Sequence, residues 1–174
     1  MAQSHQIPKP LSNSTFLLDT NFFIDSYSRI EDFEGLVTEF KSNNIVLTSI
    51  NLVKYEFIRS KTIDVVKKKE KYFNEIVSVV LPFDNQAEQY IVGVIEQYRQ
   101  FMEGVSLTDL LLASCLKRYR SLYLLTRDRH DFPTTIFDRV YIFNIESVRD
   151  IKAYGVYAYG SEEEKKAVND EIPF

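Results

Sequence analysis

Tryptophan is absent, glycine and proline occur five times each, and cysteine occurs once. So few glycines leave few freely flexible loops. The lone Cys115 makes no intramolecular disulfide and offers no thiolate cluster to a metal, so a reducing compartment, the cytoplasm, is expected. No stretch approaches the roughly 18 apolar residues that a membrane-crossing helix needs. The segment from Met1 to Thr15 is polar, with Pro8 and Pro10, and lacks the charged start and apolar centre of a secretory signal. No membrane association is expected. A basic excess is also missing: the net charge of −4 argues against a general phosphate-coating protein, because that affinity comes from Lys and Arg. Any contact with nucleic acid has to be local.

Aromatic side chains are plentiful instead. Thirteen Phe and eleven Tyr make up 14% of the 174 residues, enough rings to build a core without Trp. Hydrophobic residues reach 45% and charged residues 26%, the balance of a folded globular chain of one-domain length.

Short apolar runs alternate with longer helical patterns. Phe16 to Leu18 ends at Asp19 and reads as a buried strand; Ile45 to Leu47 reads as a second. From Asn51 to Arg59, the apolar residues Leu52, Val53, Phe57 and Ile58 recur at helical spacing. Ile63 to Val80 reads as a helix with a short extended exit closed by Pro82. Asn85 to Met102 reads as an amphipathic helix ended by Gly104, and Ser106 to Tyr119 as a deeply packed one. Leu122 to Leu125 and Val140 to Phe143 are further strands. This alternation predicts an α/β fold, a mostly parallel sheet with helices on both faces. The expected organisation is a polar arm over 1–15, a domain over 16–150 and an extension over 151–174, charged from Gly160 to Asp170.

Open parallel sheets gather ligands beyond the carboxyl ends of their strands. Asp19 and Asp128 fall at such ends, while Glu56 and Asp109 lie on helices. If the four converge, their repulsion calls for protons or a divalent cation. Hard oxygen ligands without His or Cys suit Mg2+ or Mn2+, and such ions orient and deprotonate water and stabilise the charge on a breaking phosphodiester. Each acid also has a plain structural reading: Asp19 as a turn residue, Asp109 in a capping box with Ser106, Asp128 and Asp131 as caps of a short turn. Glu56, between Tyr55 and Phe57, is harder to explain as surface decoration.

The strings FLLDTNFFID (Phe16–Asp25), YEF (Tyr55–Phe57), SLTDLLLASCLKRY (Ser106–Tyr119) and LLTRDRHDF (Leu124–Phe132) stand in the order found in PIN-domain nucleases. From Phe16 to Phe143 the chain resembles the VapC-type toxin ribonucleases. The resemblance implies a three-layer α/β/α sandwich and a metal-binding set of Asp19, Glu56, Asp109 and Asp128, with Asp131 a rival for the fourth place. Asn21 and Thr126 become supporting polar groups. The implied activity is hydrolysis of single-stranded RNA by metal-activated water, the implied cofactor Mg2+ or Mn2+, and the implied partners RNA, a small antitoxin protein and a second copy in a homodimer. RNA contact is expected from Lys54, Arg59, Lys61 and Lys67 to Lys71, with Tyr72 stacking on a base.

Two other readings compete. A strand-end Asp followed by Thr also begins the haloacid-dehalogenase motif, but that motif needs a second Asp where Asn21 stands. A PIN-like module that binds RNA or protein without cutting is the third reading. His130 is expected at the surface and Cys115 in the packing of its helix.

Overall fold

The computed structural model describes residues 6–101, 103–146 and 150–160. Met1 to His5 and the charged tail beyond Gly160 lie outside them. Among the described residues, six strands form one sheet: β1 (Thr15–Leu18), β2 (Val46–Ile50), β3 (Val79–Leu81), β4 (Leu122–Thr126), β5 (Phe137–Glu146) and β6 (Ile151–Tyr159), ordered β3-β2-β1-β4-β6-β5. β1 pairs parallel with β2 and β4, and β2 parallel with β3. β6 is antiparallel to both β4 and β5, so it alone runs against the others. The sheet is mostly parallel, as the alternation of runs predicts. All four residues of β1 are buried, as a strand covered on both faces requires.

Among the described residues, six α-helices connect the strands: α1 (Thr20–Ser28), α2 (Ile30–Ser42), α3 (Asn51–Ile58), α4 (Ile63–Ile76), α5 (Asn85–Tyr98) and α6 (Leu107–Arg118). The chain winds outward from β1 through β2 to β3, then returns past β1 to β4. With right-handed crossovers, that reversal places α1 to α4 on one face and α5 and α6 on the other. In agreement, α1 packs on α2, α3 and α4, and α5 packs on α6. The arrangement is compatible with a three-layer α/β/α sandwich.

Rings fill the interior in place of Trp. Phe22 meets Phe33 and Tyr154 edge to face at centroid distances of 5.5 and 5.9 Å, and Phe23 lies 4.7 Å from Phe73. Across the sheet Phe137 stands edge-on to Tyr159 and Phe132, 5.5 Å from each. Each such pair contributes about 0.5–1.5 kcal/mol beyond its buried area.

Three elements depart from expectation. The boundary at residue 150 separates β5 from β6, yet β6 lies between β4 and β5, with Tyr154 to Tyr159 all buried. This segment, placed in the extension by sequence, belongs to the sheet. Gly155 makes it possible: a Cβ there would sit 2.5 Å from the Tyr157 ring, which lies across the glycine. The expected arm is also partly internal, since Ile7 and Leu11 reach the core. Finally, α5 stops at Tyr98, and Gly104, with φ of 89°, turns the chain toward α6 instead of capping α5. No helix among the described residues is long and apolar enough to cross a membrane.

Candidate functional site

β1 and β4 are neighbours whose onward connections leave in opposite directions, the topological switch at which an open sheet forms a crevice. Asp19, the first residue beyond β1, is the N-cap of α1. Its Oδ1 accepts the Thr20 amide at 2.5 Å, and its Oδ2 accepts the Asn21 amide and the Thr126 hydroxyl, each at 2.6 Å. Thr126 is the last residue of β4 and fully buried, so Asp19 is clamped across the two strands at only 5% exposure. Burial pushes its carboxyl up to about 6. The bonds from Thr126 and Thr20 oppose that rise, and the charges of Asp109 and Asp128 add to it.

Glu56 is held from both sides. The Thr20 hydroxyl donates to its Oε2 at 2.7 Å, and the Thr108 hydroxyl donates to its Oε1. Thr20 follows Asp19 and Thr108 precedes Asp109, so Glu56 bridges the neighbours of the other two acids. Its surroundings differ from those expected: helical geometry sends Phe57 into the core and leaves Tyr55 and Glu56 exposed.

Asp109 keeps its structural role and adds a second. The capping box is complete, with the Ser106 hydroxyl accepting the Asp109 amide at 3.2 Å and Asp109 Oδ2 accepting the Ser106 amide at 3.1 Å. Burial still raises its affinity for a proton, the Ser106 bonds resist, and the charges of Asp128 and Glu56 reinforce the rise.

Asp128 begins the loop after β4. Its amide donates to Thr126 Oγ1 at 3.0 Å, and its own Oδ1 accepts the His130 amide at 3.0 Å and the Asp131 amide at 3.4 Å. These bonds brace the loop, but no helical turn follows Asp128, so the capping role foreseen for it takes the form of loop bracing. Tyr98 fastens the loop by donating to the Asp131 carbonyl at 2.7 Å. Asp131 is pushed up to about 7 by burial, by the charges of Asp109 and Asp128, and by hydrogen bonds shared with both. Both rivals thus belong to the cluster: Asp128 interacts with Asp19 and Asp109, while Asp131 interacts with Asp109 and Asp128.

Asn21 supports the centre as foreseen. Its Nδ2 donates to Asp19 and, at 3.0 Å, to Thr126, while its Oδ1 accepts the Arg127 amide at 3.2 Å. Behind it stands a group that sequence reading missed. Asp25, 4% exposed, accepts Tyr154 Oη at 2.6 Å, pairs with Arg127 at 3.1 Å and with Lys152, and Tyr154 Oη also lies 3.2 Å from the Asn21 carbonyl. Nothing local announces a pairing between Asp25 and Lys152. Thr20 and Thr108 were also missed, although each adjoins a candidate acid in the sequence, which was the available signal.

Part of the expected RNA-contacting face is engaged elsewhere. Lys54 pairs with Glu70 at 2.7 Å, Lys69 donates to the Phe57 carbonyl at 2.9 Å, and the half-buried Tyr72 packs edge-on against Tyr27. Arg59, Lys61, Lys67 and Lys68 remain exposed. His130 is exposed, as expected, and Cys115 packs beside the core.

As placed, the acids are near enough to raise one another's proton affinity, but their oxygens face hydroxyl and amide donors. Among the described residues, no three His, Cys, Asp or Glu side chains form a group that could hold a metal ion. The donor set nevertheless fits a hard divalent cation: carboxylates and hydroxyls, with burial and mutual repulsion raising the proton affinity of Asp19 and Asp109, a strain that a cation would relieve. Comparison with protein-family models, with curated proteins and with solved structures finds no match.

Proposed function

We propose that the chain is a PIN-type, metal-dependent endoribonuclease that hydrolyses single-stranded RNA in the cytoplasm, the toxin of a toxin–antitoxin pair. The observation that carries the proposal is the meeting of Asp19, Glu56, Asp109 and Asp128 from four separate segments where β1 and β4 part. Asp19, Asp109 and Asp128 would hold Mg2+ or Mn2+, with Glu56 and Asp131 at the margins. When bound, such an ion activates water and stabilises charge on a breaking phosphodiester. The chain's own part is to orient and to relay protons. Thr126 and Asn21 fix the Asp19 carboxylate, and Thr20 and Thr108 fix Glu56. Asp131, pushed up to about 7, is poised to give or take a proton near neutrality. The exposed Arg129 and His130 lie on the same loop and would face the phosphates of the strand. A small antitoxin over the acids and a homodimer belong to the same proposal.

Labelled single-stranded RNA incubated with the chain tests it. Cleavage is expected in Mg2+ or Mn2+, with loss in EDTA and in Asp19→Asn; full activity in EDTA or in that variant contradicts it. A second reading, binding without cutting, is favoured by one observation: both oxygens of Glu56 are already engaged by threonine hydroxyls. Binding of RNA with no cleavage under any metal would select it.

A further inference from the structure

An apolar pocket of about 310 Å3 opens beside the acids and plays no part in the arrangement described above. Its walls are α3, through Asn51 and Tyr55, and α6, through Leu107, Leu111 and Cys115; Phe83, just past β3, closes the rim. Spacings of four residues put Asn51 with Tyr55, and Leu107 with Leu111 and Cys115, on single helix faces. The same two helices carry Glu56 and Asp109, and the Thr108 hydroxyl on Glu56 ties them together. The pocket and the acid cluster are therefore two sides of one α3–α6 bridge.

We propose that this pocket receives one unpaired nucleobase of the strand whose phosphate lies at the acids. The inference deepens the nuclease reading and rests on it. Five features single out that occupant. No charged side chain lines the pocket, so it does not take phosphate. Burial pushes the Cys115 thiol up to about 12, which keeps this wall neutral. Tyr55 and Phe83, at 58% and 59% exposure, offer aromatic faces at the mouth, and base stacking on such rings tolerates any base. The volume is at the lower limit of ordinary ligand pockets, about 300 Å3, a size for one planar ring system and not for the face of a partner helix. Asn51 supplies one amide able to meet a base edge with either a donor or an acceptor.

Binding of a short fluorescent oligoadenylate, and of the same strand with abasic riboses, tests this on the full chain, in EDTA and with Ca2+ replacing Mg2+. The wild type should prefer the base-bearing strand. Phe83→Ala and Tyr55→Ala should each weaken that strand about tenfold, the scale of one lost stack, and change the abasic strand by less than about twofold. Since both rings are largely exposed, the melting temperatures should stay close to that of the wild type, which excludes loss of fold as the cause. Equal loss on both strands, no loss on either, or no binding at all overturns the pocket. Cleavage that persists while binding ignores the base would refute the pocket alone, and base-dependent binding without cleavage would refute the nuclease alone.

Discussion

Replacing Asp19 by Asn should stabilise the fold above pH 6 and stop doing so near pH 4. The folded chain holds the Asp19 proton up to about 6, whereas the ordinary value is 3.8. Below pH 4 the carboxyl is protonated in both folded and unfolded chains, so Asp19 favours neither. Between the two values the folded chain keeps a proton that the unfolded chain has lost, and stability falls as pH rises. Above pH 6 the loss is complete, at about 1.4 kcal/mol per pH unit, or about 3 kcal/mol for this interval. Asn carries no charge and retains Oδ1 for the Thr20 amide, but its Nδ2 would oppose the Asn21 amide, at a cost of about 1–2 kcal/mol. The net gain at pH 8 is about 1–2 kcal/mol, a rise of roughly 2–8 °C in melting temperature for a chain of this size. Near pH 4 only the mismatched bond remains, and the variant becomes the less stable protein. Thermal melts of both proteins across pH 4–8, in EDTA, read the difference. A gain that does not change with pH, or a variant less stable at pH 8, would refute the burial account of Asp19.

Asp25→Ala takes the partner from the half-buried Lys152 and from Arg127, and removes the acceptor for Tyr154; urea unfolding should show a loss of about 3 kcal/mol, the lower end for a buried pair. Ser106→Ala removes one half of the capping box and should cost about 1 kcal/mol in the same assay. It should also loosen Asp109, so a cleavage rate that falls further than stability would separate the two roles of that acid. If the acids bind metal, protons compete for Asp19 and Asp131, which hold them to about 6 and about 7. Cleavage at fixed subsaturating Mg2+ should therefore rise with pH from 5 to 8, whereas a flat profile would remove these two groups from the site.

The elements legible in the sequence were those whose signals are local. β1, β2 and β4 each contain or adjoin a short unbroken apolar run, and α3 to α6 carry apolar residues at helical spacing. The segment holding α1 has no assignment in the sequence reading, and Asp19 has a turn reading there because Asp19, Thr20 and Asn21 favour turns, yet Asp19 caps a helix. Its pattern is also inverted, with Asp25 and Ser26 buried and Ile24 exposed, since distant Lys152 and Tyr154 supply the partners. α2 went unassigned although Phe33, Leu36 and Phe40 form its buried stripe. β6 was unreadable for a different reason: buried on both faces, it lacks alternation, and its place between β4 and β5 depends on pairings made across the chain. Asp19 and Asp128 were legible from their positions at strand ends, and Glu56 and Asp109 from the order of the motifs that carry the resemblance. The threonines that hold Glu56 were not, because each acts on a carboxylate at least 36 residues away.

Titration of the chain with Mn2+ by calorimetry at pH 7.5 tests the central claim, that these acids form a metal site, independently of any RNA. The account predicts saturable binding accompanied by proton release, and at least about a tenfold loss of affinity in Asp19→Asn. Absence of binding in the wild type, or equal affinity in the two proteins, would contradict it.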